Sequence, residues 1–324
     1  MTLAAIAYLF GCTRPGPSFE DIPVRPMLDQ IVVTGEMALD ASMDRTIRKG
    51  RVPRKEVRRP LSKVYPLLKG SDVQPGRIVS YVPLTSGLSS APCEGKTCPG
   101  RVELAEMLPQ AGVDIVGTAA PLVADQGARE ETEATLAAMG VCPTHGSPCV
   151  EALDDTRVAV VDIAAVSETD DAPERARQAV ATAREAADVV VLSVKLSART
   201  PRTERNALLR SISEAADSDV VVGHHLGPLD GVEVHEGHLI LHNPGPLLHA
   251  KPGDARENAV VYRLHVDREG VRWLEASPVR LRNGRVRPAV LEETGAALGR
   301  LTKRSSAPGL HVEFGRAILD TDPR

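Results

Sequence analysis

The residues best suited to chemistry are histidines that close an apolar run. Val220-Val-Val-Gly-His-His-Leu-Gly-Pro228 is followed by His235, His238, His242 and His249, so six of the nine histidines fall within 26 residues. A strand that ends in Gly-His-His puts His224 and His225 at the C-terminal edge of a sheet, where open α/β folds gather ligands. Imidazole there can ligate a transition metal or carry a proton. His235, His238 and His242 flank a hairpin signal at Glu236-Gly237, and alternation sends neighbours to opposite faces. Most of the cluster therefore need not converge.

The five cysteines divide into one isolated residue, Cys12, and two close pairs, Cys93/Cys98 and Cys142/Cys149. Each pair encloses a short Gly- or Pro-containing loop that a local disulfide could close, as expected outside a reducing cytosol. A cross-connection or free thiols would satisfy the same sequence, and neither spacing is that of a zinc knuckle. Met1 to Cys12 is apolar and ends Leu9-Phe-Gly-Cys12, which resembles a bacterial lipoprotein signal in which the Cys becomes the lipidated first residue. It lacks a basic start, and Phe10 is bulkier than the usual residue there; an apolar N-terminus or a buried first strand is the plainer alternative. Together the cysteines favour an exported protein anchored to the cell envelope through a lipid on Cys12.

No phosphate-binding glycine loop, G-x-S-x-G elbow or H-E-x-x-H helix is present. With 324 residues, 42% of them hydrophobic, the chain has ample material for a core. Eight aromatic rings and a net charge of -4 argue against nucleic acid as a partner. Between Asp44 and Lys69 lie ten Arg or Lys residues against two acids, a stretch that could touch an anionic polymer or simply form a solvated face.

The elements that must position these residues follow from periodicity. Ile31-Val-Val-Thr-Gly35 reads as a buried strand, Val102–Ala111 as a helix, Val113–Val116 as a strand and Gly127–Met139 as a helix. Strand and helix then alternate: Arg157–Val166, Pro173–Ala187, Val189–Val194, Arg202–Ala216 and Asp219–Val222. Such alternation predicts crossover units and a largely covered sheet. From Val232 onward, two-residue alternation with turns at Glu236-Gly237, Glu269-Gly270 and Asn283-Gly284 predicts an antiparallel C-terminal part.

The order of Val33-Thr-Gly-Glu36-Met-Ala-Leu39, Ala111-Gly-Val-Asp-Ile-Val116, Asp125-Gln-Gly127, Ala187-Asp-Val-Val-Val-Leu-Ser193, Asp219–His225 and Gly231–Ile240 resembles the CapA family of poly-γ-glutamate and capsule synthesis proteins. Ser277–Pro288 fits that family's terminal hairpin. The resemblance implies an α/β fold of metallophosphoesterase type, with mixed sheets covered by helices. Where the family carries Gly-Asp, Asn-Asn-His, His-Trp-Gly, Gly-His-His-Pro-His and Gly-Asn-Phe, this chain has Glu36, Ala120-Pro121-Leu122, Lys195-Leu196-Ser197, His224-His225-Leu226-Gly227 and Gly245-Pro246-Leu247. Ala, Pro and Leu offer no donor atom, and a two-metal site needs several carboxylate and imidazole ligands.

The implied domains are a signal segment (1–12), a tether (13–30), a CapA-like domain (31–292) and a C-terminal extension (293–324). The expected role is a capsule-associated surface lipoprotein that handles an anionic polymer such as polyglutamate, with no catalytic residues and no cofactor. The alternative is a hydrolase or transferase in which Glu36, His224 and His225, the remnants of the ligand set, hold one divalent transition metal ion.

Overall fold

Runs of valine form the middle of two facing sheets. The computed structural model describes residues 28–46, 60–70, 77–91, 98–120, 126–165, 171–250, 257–282 and 284–321. Cys12, Cys93, Pro121, Leu122, Asp125 and the basic residues between 47 and 59 lie outside these, as do the signal segment and most of the tether.

The first sheet runs β14 (His311–Glu313), β15 (Arg316–Asp320), β12 (Gly270–Arg282), β11 (Asn258–Asp267), β1 (Asp29–Val33), β2 (Ile78–Pro83), β3 (Ile115–Gly117) and β4 (Cys142–Thr144), with β13 (Arg285–Pro288) also on β12. β1 to β4 are parallel and β11 to β15 antiparallel. The second sheet runs β5 (Cys149–Ala152), β6 (Arg157–Ala165), β7 (Val189–Leu196), β8 (Val220–His224), β10 (His238–Leu241) and β9 (Val232–His235). Its central strands β6, β7 and β8 are parallel.

Alternate residues of each strand face opposite ways, and three cores result. Ile31, Val33, Val79, Tyr81 and Ile115 of the first sheet meet Val158, Val160, Val189, Val191, Val220 and Val222 of the second. Ala159, Val161, Val190, Leu192 and Val221 pack on the other side against the helices Ala172–Arg184 and Arg202–Ala215. The first sheet's outer face packs against Met43, Leu61, Leu68, Leu104, Leu108 and Leu136 from the helices that precede β4 and their approaches. The layers are thus helix, sheet, sheet, helix, the mixed α/β architecture that the alternating pattern predicts.

Three features differ from the sequence expectation. Val102–Ala111 is a 3₁₀ turn, Val102–Glu106, followed by a single α turn, Met107–Gln110; Pro109 has no backbone N–H to donate within a longer helix. β1 already begins at Asp29, inside the expected tether. Residues 291–320 add the helix Leu291–Arg304 and two strands to the first sheet's side of the molecule, with Ala297, Leu298 and Leu301 buried between the sheets. The Cys142–Cys149 bridge forms as the spacing suggests. Although its ends are seven residues apart, it joins edge strands of different sheets. Cys98 is also disulfide-bonded.

Candidate functional site

Inward-facing positions change from valine to polar residues toward the C-terminal ends of the parallel strands. On β6 the series is Val158, Val160, Asp162; on β7 it is Val189, Val191, Ser193, Lys195; on β8 it is Val220, Val222, His224. β2 contributes Val79 and Tyr81 from the opposite sheet. Because the strands are parallel and in register, with Asp162 beside Ser193 and Lys195 beside His224, the polar ends form one layer. All five side chains are buried.

Two connected groups make up this layer. Tyr81 Oη donates to Ser193 Oγ at 2.6 Å, and Ser193 Oγ donates to Asp162 Oδ1 at 2.6 Å. The backbone N–H of Ala119 donates to Asp162 Oδ2 at 2.8 Å. Both carboxylate oxygens are therefore satisfied, as a buried acid requires. Burial nonetheless raises the Asp162 pKa to about 6, with the Ser193 and Ala119 bonds acting against it. Gly117 makes the approach possible: a Cβ there would lie 2.3 Å from Tyr81 Oη and 2.5 Å from Asp162 Oδ2.

The second group holds the residues singled out in the sequence. Glu36 follows β1, where its carbonyl accepts from the backbone N–H of Leu247 at 2.9 Å. Its side chain, 1% exposed, receives a hydrogen bond from Lys195 Nζ on Oε1, while Oε2 has no hydrogen-bond partner. Burial pulls the Lys195 pKa down to about 7; the touching carboxylate acts in the opposite sense by favouring the ammonium. His224 lies in register beside Lys195, its ring 6.1 Å from that of Tyr81 in an edge contact. Neither ring nitrogen of His224 has a hydrogen-bond partner. Burial, then the charges of Lys195 and His225, hold its pKa well below the ordinary value, so the imidazole is neutral. His225 turns back over Gly227, where a Cβ would lie 2.2 Å from Nδ1.

The remaining histidines serve other contacts. His242 Nε2 lies 2.8 Å from Glu233, which Arg210 also binds at 2.8 Å. His235 lies 2.7 Å from Glu214. Among the described residues, the group whose possible ligand atoms all fall within 4.8 Å of one another is Glu214, His235 and Glu236, at the surface hairpin. Glu36, His224 and His225 do not form such a group.

Beside Asp162 a cleft of about 290 Å³ opens, lined by His145, Ile163, Arg175, Gln178 and Thr182 among others. Burial lowers the His145 pKa, and the charges of Arg129 and Arg175 lower it further. Arg175 and the Asp162 carboxylate both line this cleft, and Arg129 and Glu133 lie close enough to act on His145.

The family model described as "Bacterial capsule synthesis protein PGA_cap" matches residues 30–250, a span from β1 through the histidine cluster and its hairpin. The chain belongs to this capsule synthesis family. The PGA_cap match covers Glu36, Asp162, Ser193, Lys195, His224 and His225, and it agrees with the membership implied by segment order. No curated protein matches the sequence. Among solved structures, a chain described as a novel phosphatase from Mycoplasma pneumoniae is similar, with a TM-score of 0.46 and 10% identity over 78% of this chain and 94% of that one.

Asp162 and Tyr81 lie in none of the segments that carry the family resemblance, and Ser193 closes one of them without being marked there as a site residue. Their signal is one of phase: in Val158-Ala-Val-Val-Asp162 and Val189-Val-Val-Leu-Ser-Val-Lys195 a polar residue occupies the inward position that valine fills one turn of the pleat earlier.

Proposed function

We propose that this member of the capsule synthesis family handles an anionic polymer without metal-dependent hydrolysis, as a surface lipoprotein tethered through Cys12. The observation that carries the reading is the Lys195–Glu36 pair: the carboxylate expected to bind metal is already neutralised by a lysine from the neighbouring sheet. The residues present do not fit a metal pair. Ala120 supplies no side-chain donor, Lys195 is a cation, and His225 is folded onto Gly227. Polymer carboxylates suit Arg175 in the cleft lining, with Arg129 close enough to act on His145 there. The paired cysteines and the lipobox-like segment support an exported location.

The test is binding of purified chain to polyglutamate of defined length at increasing salt. Affinity should fall steeply with salt, and replacing Arg129 and Arg175 by Gln should weaken binding at least tenfold. Stoichiometric metal in the wild-type protein, together with cleavage of polymer or phosphoester that His224→Ala abolishes, would sink the proposal. That result belongs to the second reading, a metal-dependent hydrolase or transferase. Its support is the pair of unpartnered nitrogens on buried His224.

A further inference from the structure

The described residues expose six large apolar side chains, and four of them, Val290, Leu291, Val312 and Phe314, lie in the C-terminal part, beyond the family match over residues 30–250. Leu291 is 91% exposed and Phe314 88%. Phe314 and Gly315 form the turn of the β14–β15 hairpin, and a Cβ on Gly315 would lie 3.8 Å from Thr294 in the first turn of the helix Leu291–Arg304. The hairpin tip and the start of the helix thus share one corner of the molecule. Phe314 and Gly315 have φ of 45° and 76°, as a two-residue type I′ turn requires. Such a turn favours Asn, Asp or Gly, and a bulky residue there is strained. A strained, exposed phenylalanine brings nothing to the single chain and points to a contact outside it.

β14 is an edge of the first sheet, with no strand beyond it among the described residues. The turn decides which of its backbone groups are free. A two-residue turn closes on a hydrogen-bonded pair, here Glu313 and Arg316, so the next pair, Val312 and Ala317, is not hydrogen-bonded. Val312 therefore directs its N–H and C=O away from β15. Two copies of β14 laid antiparallel about a two-fold axis at Val312 would join these groups to each other. The same register sets His311 opposite Glu313 of the partner subunit, twice, a charge-complementary arrangement. Both Val312 side chains then meet on the face shared with Ala317, where the helix Leu291–Arg304 packs.

We propose that β14 pairs with β14 of a second copy of this chain, joining two first sheets into one, and that Leu291 and Phe314 are covered at this contact. A three-residue strand forms few hydrogen bonds, so the dimer is of modest affinity and depends on the apolar corner. Nothing in it depends on polymer binding.

The test is sedimentation equilibrium of the full-length chain from about 1 to 100 μM, the range suited to a small interface. The wild type should dimerise with rising concentration. Val312→Pro removes the outward N–H and no bond to β15, so it should keep the wild-type circular dichroism and stay monomeric. Phe314→Asn suits the turn and should weaken association roughly tenfold or more. His311→Glu and Glu313→Lys should each weaken association, whereas a mixture of these two chains should associate more tightly than either alone, because the introduced charges then face each other with opposite sign. A wild type that stays monomeric overturns the proposal, as does a dimer unaffected by Val312→Pro or a mixture no tighter than its components. The competing occupant is a bilayer. Monomeric chain that sediments with phosphatidylglycerol vesicles and is released by Phe314→Asn would assign the corner to the membrane and overturn the dimer.

Discussion

Asp162 illustrates how a single buried acid ties stability to pH. Its pKa rises from 3.8 in the open chain to about 6 in the fold. Between these values the folded state holds a proton that the unfolded state has lost, so stability falls as pH rises through this window. The shift corresponds to at most about 3 kcal/mol. Asp162→Asn removes the titration, and urea unfolding from pH 4 to pH 7 should show a correspondingly smaller loss in the variant; an unchanged slope would assign the dependence to other groups. Asp114, also raised by burial, adds a slope of the same sign that both proteins keep. At this scale the sequence is informative about residue type and poor about pairing. Glu36, His224 and His225 are visible because they sit in recognisable segments, yet the partner that matters most to Glu36 is Lys195. No local pattern could reveal that contact, since β1 and β7 belong to different sheets.

Among the elements, strands and helices with strong patterns are legible and those with mixed composition are not. β6, β7 and β8 stand out because both faces of a covered parallel sheet demand apolar residues. β2, Ile78-Val-Ser-Tyr-Val-Pro83, is interrupted by Ser80, which points outward and donates to the Leu68 carbonyl, and it ends in proline. The helix Leu291–Arg304 is obscured by Gly295 and Gly299, poor helix formers in mid-helix. Both glycines are exposed, neither has positive φ, and a Cβ at either would meet nothing within 4 Å. Gly295→Ala and Gly299→Ala should each therefore stabilise the protein by about 1 kcal/mol, read as a higher urea midpoint at unchanged m value. A loss of stability would show that the helix is not formed as described. Its position is set by tertiary burial of Ala297, Leu298 and Leu301, which outweighs weak propensity.

For the molecule as a whole, the two sheets share one core but few covalent links. The Cys142–Cys149 bridge joins the edge of one to the edge of the other across a short loop. Closing a loop of this length stabilises by about 2.5 kcal/mol in the chain-entropy model. Replacing both cysteines by serine should lower the unfolding free energy by about that amount in chemical denaturation. A much smaller change would mean that burial between the sheets already fixes the loop.

β1 lies in the middle of the first sheet, flanked by β2 on one side and β11 on the other. Its pairing partner on β11 for Asp29 is Val266, so one edge of β1 waits for a strand made much later in the chain. Until then an apolar strand with unpaired backbone groups is open to other nascent chains, and closing so long a loop is slow. A fold arranged in this way places a demand on the cell: newly made chain must be shielded, or kept extended, until its distant strand arrives.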